Sequence, residues 1–145
     1  MSDLFNRILL LKKAPAFCEV NTEDLKVVAQ MLEDESYFAG ERIFELGDYG
    51  DCMYILQDGK IGISLSGDDN DFISILGEGE CFGEMNLLDD LPRSASAYVL
   101  EDSSVLSLEK SRLRGLIINY PELALGLLRG MSLRLRKANQ NNQED

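Results

Sequence analysis

Turn signals recur at short intervals through the middle of the chain, and they limit the length of any element there. Between residues 36 and 109, a glycine or an Asp-Gly pair appears about every 7 to 12 residues. The intervening segments, such as "CMYILQ", "IGISLS" and "SAYVL", are rich in aliphatic and aromatic residues. Short apolar segments bounded by turn residues are typical of β-strands. Several such strands at this spacing predict a β-barrel or a double-sheet jelly roll.

Local turn chemistry predicts how these strands connect. Asp58-Gly59 lies between "CMYILQ" and "IGISLS" and predicts a tight hairpin. The polar run "GDDND" at 67–71 predicts a second hairpin loop before "FISIL". Two further strands, "SASAYVL" and "SVLSL", are expected on either side of "EDS".

The regions on both sides of these strands have helical patterns. Residues 1–34 contain a helix that Asn21 or Thr22 caps, with one apolar face formed by Leu25, Val28, Ala29 and Leu32. Pro121 suits the first position of a second long helix. Leucines recur at helical spacing through this helix on more than one side.

These patterns predict one domain over residues 1–140. It consists of a helical lead-in (1–34), a β-roll (35–109) and closing helices (110–140). The polar residues 141–145 are expected to form a disordered tail.

Composition argues against several classes of function. The chain has no histidine, so the usual general base and the commonest zinc ligand are missing, and we expect no enzyme and no metal site. A metal-using enzyme of the jelly-roll type is disfavoured for the same reason. The three cysteines lack metal spacing, and their odd number fits a reducing cytoplasm. No apolar run approaches the 18 residues of a membrane span.

Charge disfavours nucleic acid as a partner. The formal net charge is −12, and residues 110–145 hold 7 of the 14 basic residues but only 3 of the 26 acidic ones. The preceding 109 residues therefore carry nearly all of the negative charge and would repel a phosphate backbone. The basic run "RLRK" near the end of the last helix is too short to reverse this expectation.

One stretch, "GECFGEMNLLDDLPRSASAYV" at 79–99, isolates an acid and a base among small and apolar residues. A short helix starting near Glu84 would offer free backbone N–H groups, and Arg93 carries a planar fork that suits a phosphate. Glu84 accepts hydrogen bonds, as a sugar hydroxyl requires. A compact nucleotide is the ligand that satisfies both groups. Alternatively, Glu84 caps its helix and Arg93 forms a structural salt bridge with Glu84 or Asp89.

The segment "FGEMNLLDDLPRSASAYV" resembles the phosphate-binding cassette of cyclic-nucleotide-binding domains, a family found in catabolite activators, cyclic-nucleotide-dependent kinases and gated channels. The resemblance extends to the flanks, including "GERIFELGDYGDCMYILQDGKIGISL" and the closing helices. It implies an α+β fold: a cupin-like, double-stranded β-helix or jelly-roll barrel, with N-terminal and C-terminal helices and a cassette at 82–95. It also implies a regulatory domain that binds cAMP or cGMP and needs no other cofactor.

The resemblance assigns roles to individual residues. Glu84 matches the glutamate that holds the ribose 2′-hydroxyl, and Arg93 matches the arginine that pairs with the cyclic phosphate. Gly83 and Met85 match positions whose backbone approaches the ligand. Ser94 matches a position that contacts phosphate, with Ala95 next to it.

The base contact departs from the family pattern. Catabolite activators use a threonine-serine pair on the last helix, and the matching residues here are Ala138 and Asn139. Asn139 still offers a hydrogen bond to a base. We expect cAMP in preference to cGMP, with the last helix acting as a lid or as the element of a homodimer through 121–137. We expect no DNA binding by this chain alone. The alternative is an interaction domain that keeps the fold and has lost the ligand.

Overall fold

The computed structural model describes residues 3–143, with side chains described for residues 3–140. The helices are α1 (Leu4–Lys13), α2 (Thr22–Met31), a short 3-10 helix (Glu84–Leu87), α3 (Lys110–Asn119) and α4 (Pro121–Gln143). The strands are β1 (Glu33–Tyr37), β2 (Arg42–Phe44), β3 (Cys52–Ser64), β4 (Ser74–Leu76), β5 (Cys81–Phe82) and β6 (Ser96–Glu109). Along the chain, a helical region is therefore followed by a β-rich region and then by a second helical region.

The chain divides into two compact units. The first, the strand unit, runs from Leu32 to Leu113, and the second, the helical unit, combines the chain up to Met31 with the chain from Arg114 onward. All six strands belong to the strand unit. The helical unit contains α1, α2 and α4.

The strand unit is built on one antiparallel sheet. Its hydrogen-bonded path runs β1–β6–β3–β4, with β2 also pairing β6 and β5 also pairing β3. The predicted α+β class is confirmed. The sheet is not closed into a barrel, because no pairing among the described residues joins β1 to β4, the outer strands of this path. Long β3 and β6 form its centre, pairing from Cys52↔Glu109 to Ser64↔Ser96.

The predicted hairpin at Asp58-Gly59 is wrong. Residues 52–64 form one continuous strand, and the register with β6 shifts where Asp58 pairs Ser104 and Lys60 pairs Glu101. Gly59 has a φ of +111°, and a Cβ there would lie 2.6 Å from the Cβ of Ser103. The register shift of each strand lies opposite that of the other, so β3 and β6 bend together. The prediction of two strands on either side of "EDS" is also wrong, because β6 continues through these residues as one strand. By contrast, the expected loop at 67–71 does connect two antiparallel strands, β3 and β4.

One core cluster of the strand unit lies against β3 and β6 and extends to the strands beside them. Its buried side chains come from four strands and pack as one cluster: Tyr54, Leu56, Ile61, Leu76, Phe82, Ala97, Val99 and Val105. Alternation along β3 and β6 places these residues on a common face.

The helical unit follows the sequence pattern at its helix starts. The backbone N–H of Asp24 donates to Oδ1 of Asn21 at 2.8 Å, so Asn21 caps α2. Helix α4 begins at Pro121, as predicted. It continues through Gln143, so the expected tail at 141–145 overlaps its last three residues, and positions 144 and 145 lie outside the described residues. In the part of the chain that the structure describes, no helix has the length and apolarity needed to cross a bilayer.

Candidate functional site

The cassette segment forms a sharp turn between β5 and the 3-10 helix. Gly83 caps that helix with a φ of +76°, a left-handed conformation that L-residues with a side chain rarely adopt. A Cβ at this position would also lie 2.7 Å from Nη1 of Arg93. Gly83 is therefore required both by the turn and by the close approach of the arginine. The predicted helix start near Glu84 is present as a single 3-10 turn.

A cavity of about 300 Å³ opens beside this turn within the strand unit. Six of the predicted site residues line it: Gly83, Glu84, Met85, Arg93, Ser94 and Ala95. The chain thus brings together residues from both ends of the cassette around one space. The volume falls at the lower end of the range for small-molecule sites.

Arg93 is the most buried charged residue of this cavity, at 4% exposure. Its Nη1 donates to the carbonyl of Gly83 at 3.3 Å and to Oδ1 of Asn86 at 3.1 Å. Its Nη2 donates to the carbonyl of Cys52 at 2.9 Å. Its Nε is buried and has no hydrogen-bond partner. A Cβ on Gly50 would lie 2.5 Å from this Nε, so Gly50 is the residue that leaves room for it.

The guanidinium of Arg93 has no direct ion-pair partner among the described residues. Burial lowers its pKa, and the neighbouring Tyr54, Cys52 and Asp51 act in the opposite direction. Since the ordinary pKa of arginine is above 12, the group stays charged. Among the described residues, no carboxylate forms an ion pair with it. The proposed salt bridge of Arg93 with Glu84 or Asp89 is therefore absent, and the cavity has a positive charge available for an anion.

Aromatic rings form the wall behind the arginine, and no local sequence pattern near Arg93 predicts them. The guanidinium carbon lies 4.1 Å from the centroid of the Phe44 ring. Phe44 in turn lies 6.0 Å from both Tyr54 and Phe82, and those two rings stack at 5.2 Å. Phe44 is 49 positions before Arg93. The pairing of β2 with β6, together with backbone hydrogen bonds of Arg93 to Gly47 and Asp48, brings the two side chains together.

Glu84 is half-buried at the start of the 3-10 helix and lines the cavity. Ser94 is exposed, Ala95 is half-buried, and the side chain of Met85 is 66% exposed. The rest of the lining is mostly apolar and includes Ile63 and Leu65. One charged group of each sign therefore faces a largely apolar space, which suits a ligand with an anionic part, a hydroxylated part and a flat apolar part.

Asn139 does not belong to this set. It lies on α4, in the helical unit, and its side chain is exposed. The residues that line the cavity all belong to the strand unit. Its expected contact with a base therefore stays a prediction.

The cavity also contains Cys81, which the sequence did not place there. Burial, and then the nearby Glu84 and Glu80, raise the pKa of this thiol to about 12. Cys81 therefore stays protonated at neutral pH and is a poor nucleophile. Within residues 3–143, no group of three or more histidine, cysteine or acidic residues could hold a metal ion.

Comparison with known protein families gives one match over most of the strand unit. The profile of the family described as cyclic nucleotide-binding domain matches residues 34–120. The matched range contains the whole cassette and the cavity.

Individual proteins agree with this match. The CRP-like cAMP-activated global transcriptional regulator of Mycobacterium tuberculosis (strain CDC 1551 / Oshkosh) is 30% identical over 134 residues, covering 91% of this chain and 60% of that protein. The cyclic AMP receptor protein of Thermus thermophilus is 34% identical over 130 residues, covering 88% and 60%. This chain thus spans about 60% of the length of these two relatives.

A solved structure has the same fold. The N-terminal domain of a transcriptional regulator from Streptomyces coelicolor A3(2) superposes with a TM-score of 0.80 at 29% identity. The match covers 91% of this chain and 93% of that one.

Proposed function

This chain belongs to the family of cyclic nucleotide-binding domains, and we propose that it is a sensor that binds a 3′,5′-cyclic nucleotide in the cavity beside the 3-10 helix. The observation that carries the proposal is the state of Arg93. It is 4% exposed, its Nε has no hydrogen-bond partner, and no carboxylate among the described residues forms an ion pair with it. Burying a charge in this way is costly unless a partner compensates it. A bound phosphate would supply the missing negative charge and an acceptor.

The ligand would use both ends of the cassette. In this proposal the cyclic phosphate pairs with Arg93, and the ribose 2′-hydroxyl donates to Glu84. Gly83 and Met85 contribute backbone contacts, and Ser94 and Ala95 lie beside the phosphate. Charge-assisted hydrogen bonds contribute about 1.5 to 3 kcal/mol each. Two or three of them with backbone donors would support roughly micromolar affinity, about 8 kcal/mol.

We propose cAMP as the preferred ligand over cGMP. Two of the relatives carry cAMP in their names, the M. tuberculosis regulator and the T. thermophilus receptor protein. The residues that would face the base in the strand unit are mainly apolar, such as Ile63 and Leu65. These side chains accommodate either purine, so Asn139 is the candidate for a hydrogen bond that distinguishes them.

We propose that α4 reports binding, as a lid or as a dimer element. Its apolar side chains at Leu125, Leu128, Met131 and Leu135 are all at least 36% exposed. Leu128 and Leu135 are seven residues apart, and Met131 lies between them at the spacing of a coiled-coil seam. Slower amide exchange over 121–140 on adding ligand would support the lid, and a ligand-dependent dimer in light scattering would support the seam.

Parallel titrations test the binding proposal. The protein is unfolded and refolded to remove any co-purified small molecule, and it is then titrated calorimetrically with cAMP, cGMP and 5′-AMP. We expect micromolar binding of cAMP, weaker binding of cGMP, and weaker binding of 5′-AMP, whose open phosphate lacks the ring that makes a cyclic nucleotide compact. If no cyclic nucleotide binds at millimolar concentration, the sensor proposal is wrong and the chain is an interaction domain that retains only the fold.

A further inference from the structure

Asn86 is a buried polar residue of the cavity wall whose amide connects two parts of the cassette. It is 6% exposed and lies on the 3-10 helix. Its Nδ2 donates to the carbonyl of Leu91 at 2.7 Å, and its Oδ1 accepts from Nη1 of Arg93 at 3.1 Å. Because arginine only donates and a carbonyl only accepts, these two partners determine the orientation of the amide.

The acceptors around Arg93 share one property, which is that each of them is neutral. They are the carbonyls of Gly83 and Cys52 and the amide oxygen of Asn86. Asn86 is the only side chain among these hydrogen-bonding acceptors in the described part of the chain. A buried arginine is usually compensated by a carboxylate. Here the guanidinium is held by dipoles, which fix its direction without cancelling its charge.

We infer that Asn86 is a positioning residue for anion binding: its neutral amide holds Arg93 in place while leaving the positive charge available for the phosphate of a ligand. The inference rests on the proposed function, because it concerns how the same cavity attracts an anion. It assigns to position 86 two requirements, an acceptor within reach of Nη1 and the absence of negative charge.

The two requirements can be separated by substitution. Asn86→Asp keeps an acceptor of nearly identical shape beside Arg93 but adds a negative charge and loses the donor to Leu91. Asn86→Ala loses both hydrogen bonds and stays neutral. If Asn86 only held the loop through its hydrogen bond to Leu91, both variants would lose that bond. Their cAMP affinities and their stabilities would then fall by similar amounts.

A negative charge at position 86 would instead make the two variants differ in affinity. In Asn86→Asp, the carboxylate pairs with Arg93 and stabilises the ligand-free state, yet it repels an anion. We expect cAMP affinity to fall about 10- to 100-fold for the aspartate variant and about 3- to 10-fold for the alanine variant. The thermal unfolding midpoints should have the opposite order: the aspartate variant should unfold at the same temperature as the alanine variant or at a higher one. Asn70→Asp, in the exposed loop at 67–71, is the matched control for added charge and should bind as the wild type does.

The outcomes distinguish this inference from the proposed function. If the wild-type chain binds no cyclic nucleotide, the proposed function fails first. If the wild type binds and Asn86→Asp binds as tightly as Asn86→Ala or more tightly, the positioning role is wrong. Should the aspartate variant not fold, as judged by circular dichroism, the alanine variant decides, since unchanged affinity in that variant contradicts the role.

Discussion

The guanidinium carbon of Arg93 lies 4.1 Å from the centroid of the Phe44 ring, so a charged group rests on an aromatic face in a nearly closed environment. Cation–π attraction is strongest when the cation is desolvated, as Arg93 is at 4% exposure. The ring stabilises the charge without neutralising it. Like the neutral oxygens around the guanidinium, it leaves that charge available to an anion.

Phe44→Leu should weaken cAMP binding about 3- to 30-fold, because an apolar side chain keeps the packing but loses the cation–π contact. Calorimetric titration measures the change. The control is Phe72→Leu, which removes a half-buried ring that packs against Tyr98 in the same unit and lies outside the cavity lining. Equal loss of affinity in both variants would assign the effect to general destabilisation.

Arg93→Ala should weaken cAMP binding about 10- to 1000-fold, since it removes the charge that pairs with the phosphate. Arg93→Lys should recover only part of the loss, because a single ammonium cannot reproduce the planar fork. Arg42→Ala is the control: this exposed arginine lies over the ring of Tyr98, away from the cavity lining. Calorimetry that gives wild-type affinity for Arg93→Ala would contradict the assignment.

Glu84→Gln should weaken cAMP binding about tenfold while affecting a 2′-deoxy cyclic nucleotide much less, because the second ligand lacks the hydroxyl that donates to Glu84. A double-mutant cycle over protein and ligand isolates this pairing. Glu80→Gln makes the same change at an exposed residue outside the lining and should leave both affinities unchanged. Additive effects in the cycle would show that Glu84 does not contact the sugar.

Gly59→Ala should destabilise the chain by about 2 kcal/mol or more, because its φ of +111° is strained for alanine and the new Cβ meets Ser103. Gly115→Ala provides the matched control, since Gly115 lies in α3 with nothing within 4 Å of the added Cβ. There alanine should stabilise by about 0.5 to 1 kcal/mol through helix propensity. Urea unfolding of both variants measures the two changes, and equal effects would contradict the packing of the paired bend.

Stability should fall at alkaline pH because buried acids of the strand unit keep their protons. Burial, as the largest cause, raises the pKa of Tyr54 from 10.0 to about 12 and that of Cys81 from 9.0 to about 12. The unfolded chain therefore loses these protons first, so the stability they provide is intact below pH 9 and is lost progressively up to about pH 12. Urea midpoints across this window measure the slope, which should be shallower in Cys81→Ala. A flat profile would be inconsistent with this burial.

The sequence located the elements and the cassette more reliably than it located their connections. Asn21 caps α2 and Pro121 opens α4 as expected, because caps and first-turn prolines depend on neighbouring residues alone. The prediction of a hairpin at Asp58-Gly59 is wrong because the same dipeptide occurs in tight turns and in bends within a strand. Which of the two forms depends on a partner strand some forty positions away. The residues around Asp58-Gly59 do not indicate which strand pairs with them.

For the site, the sequence by itself determined the cassette with its isolated Glu84 and Arg93, because a short turn needs its glycine and its charges close together along the chain. Only the tertiary structure decided what surrounds the arginine. Phe44, the carbonyl of Cys52 and the amide of Asn86 meet it through strand pairing and through the fold of a single helical turn. The burial of Arg93 and its lack of an ion-pair partner are properties of that environment. The sequence determines the charge of a side chain, but the residues packed against it determine whether that charge is paired.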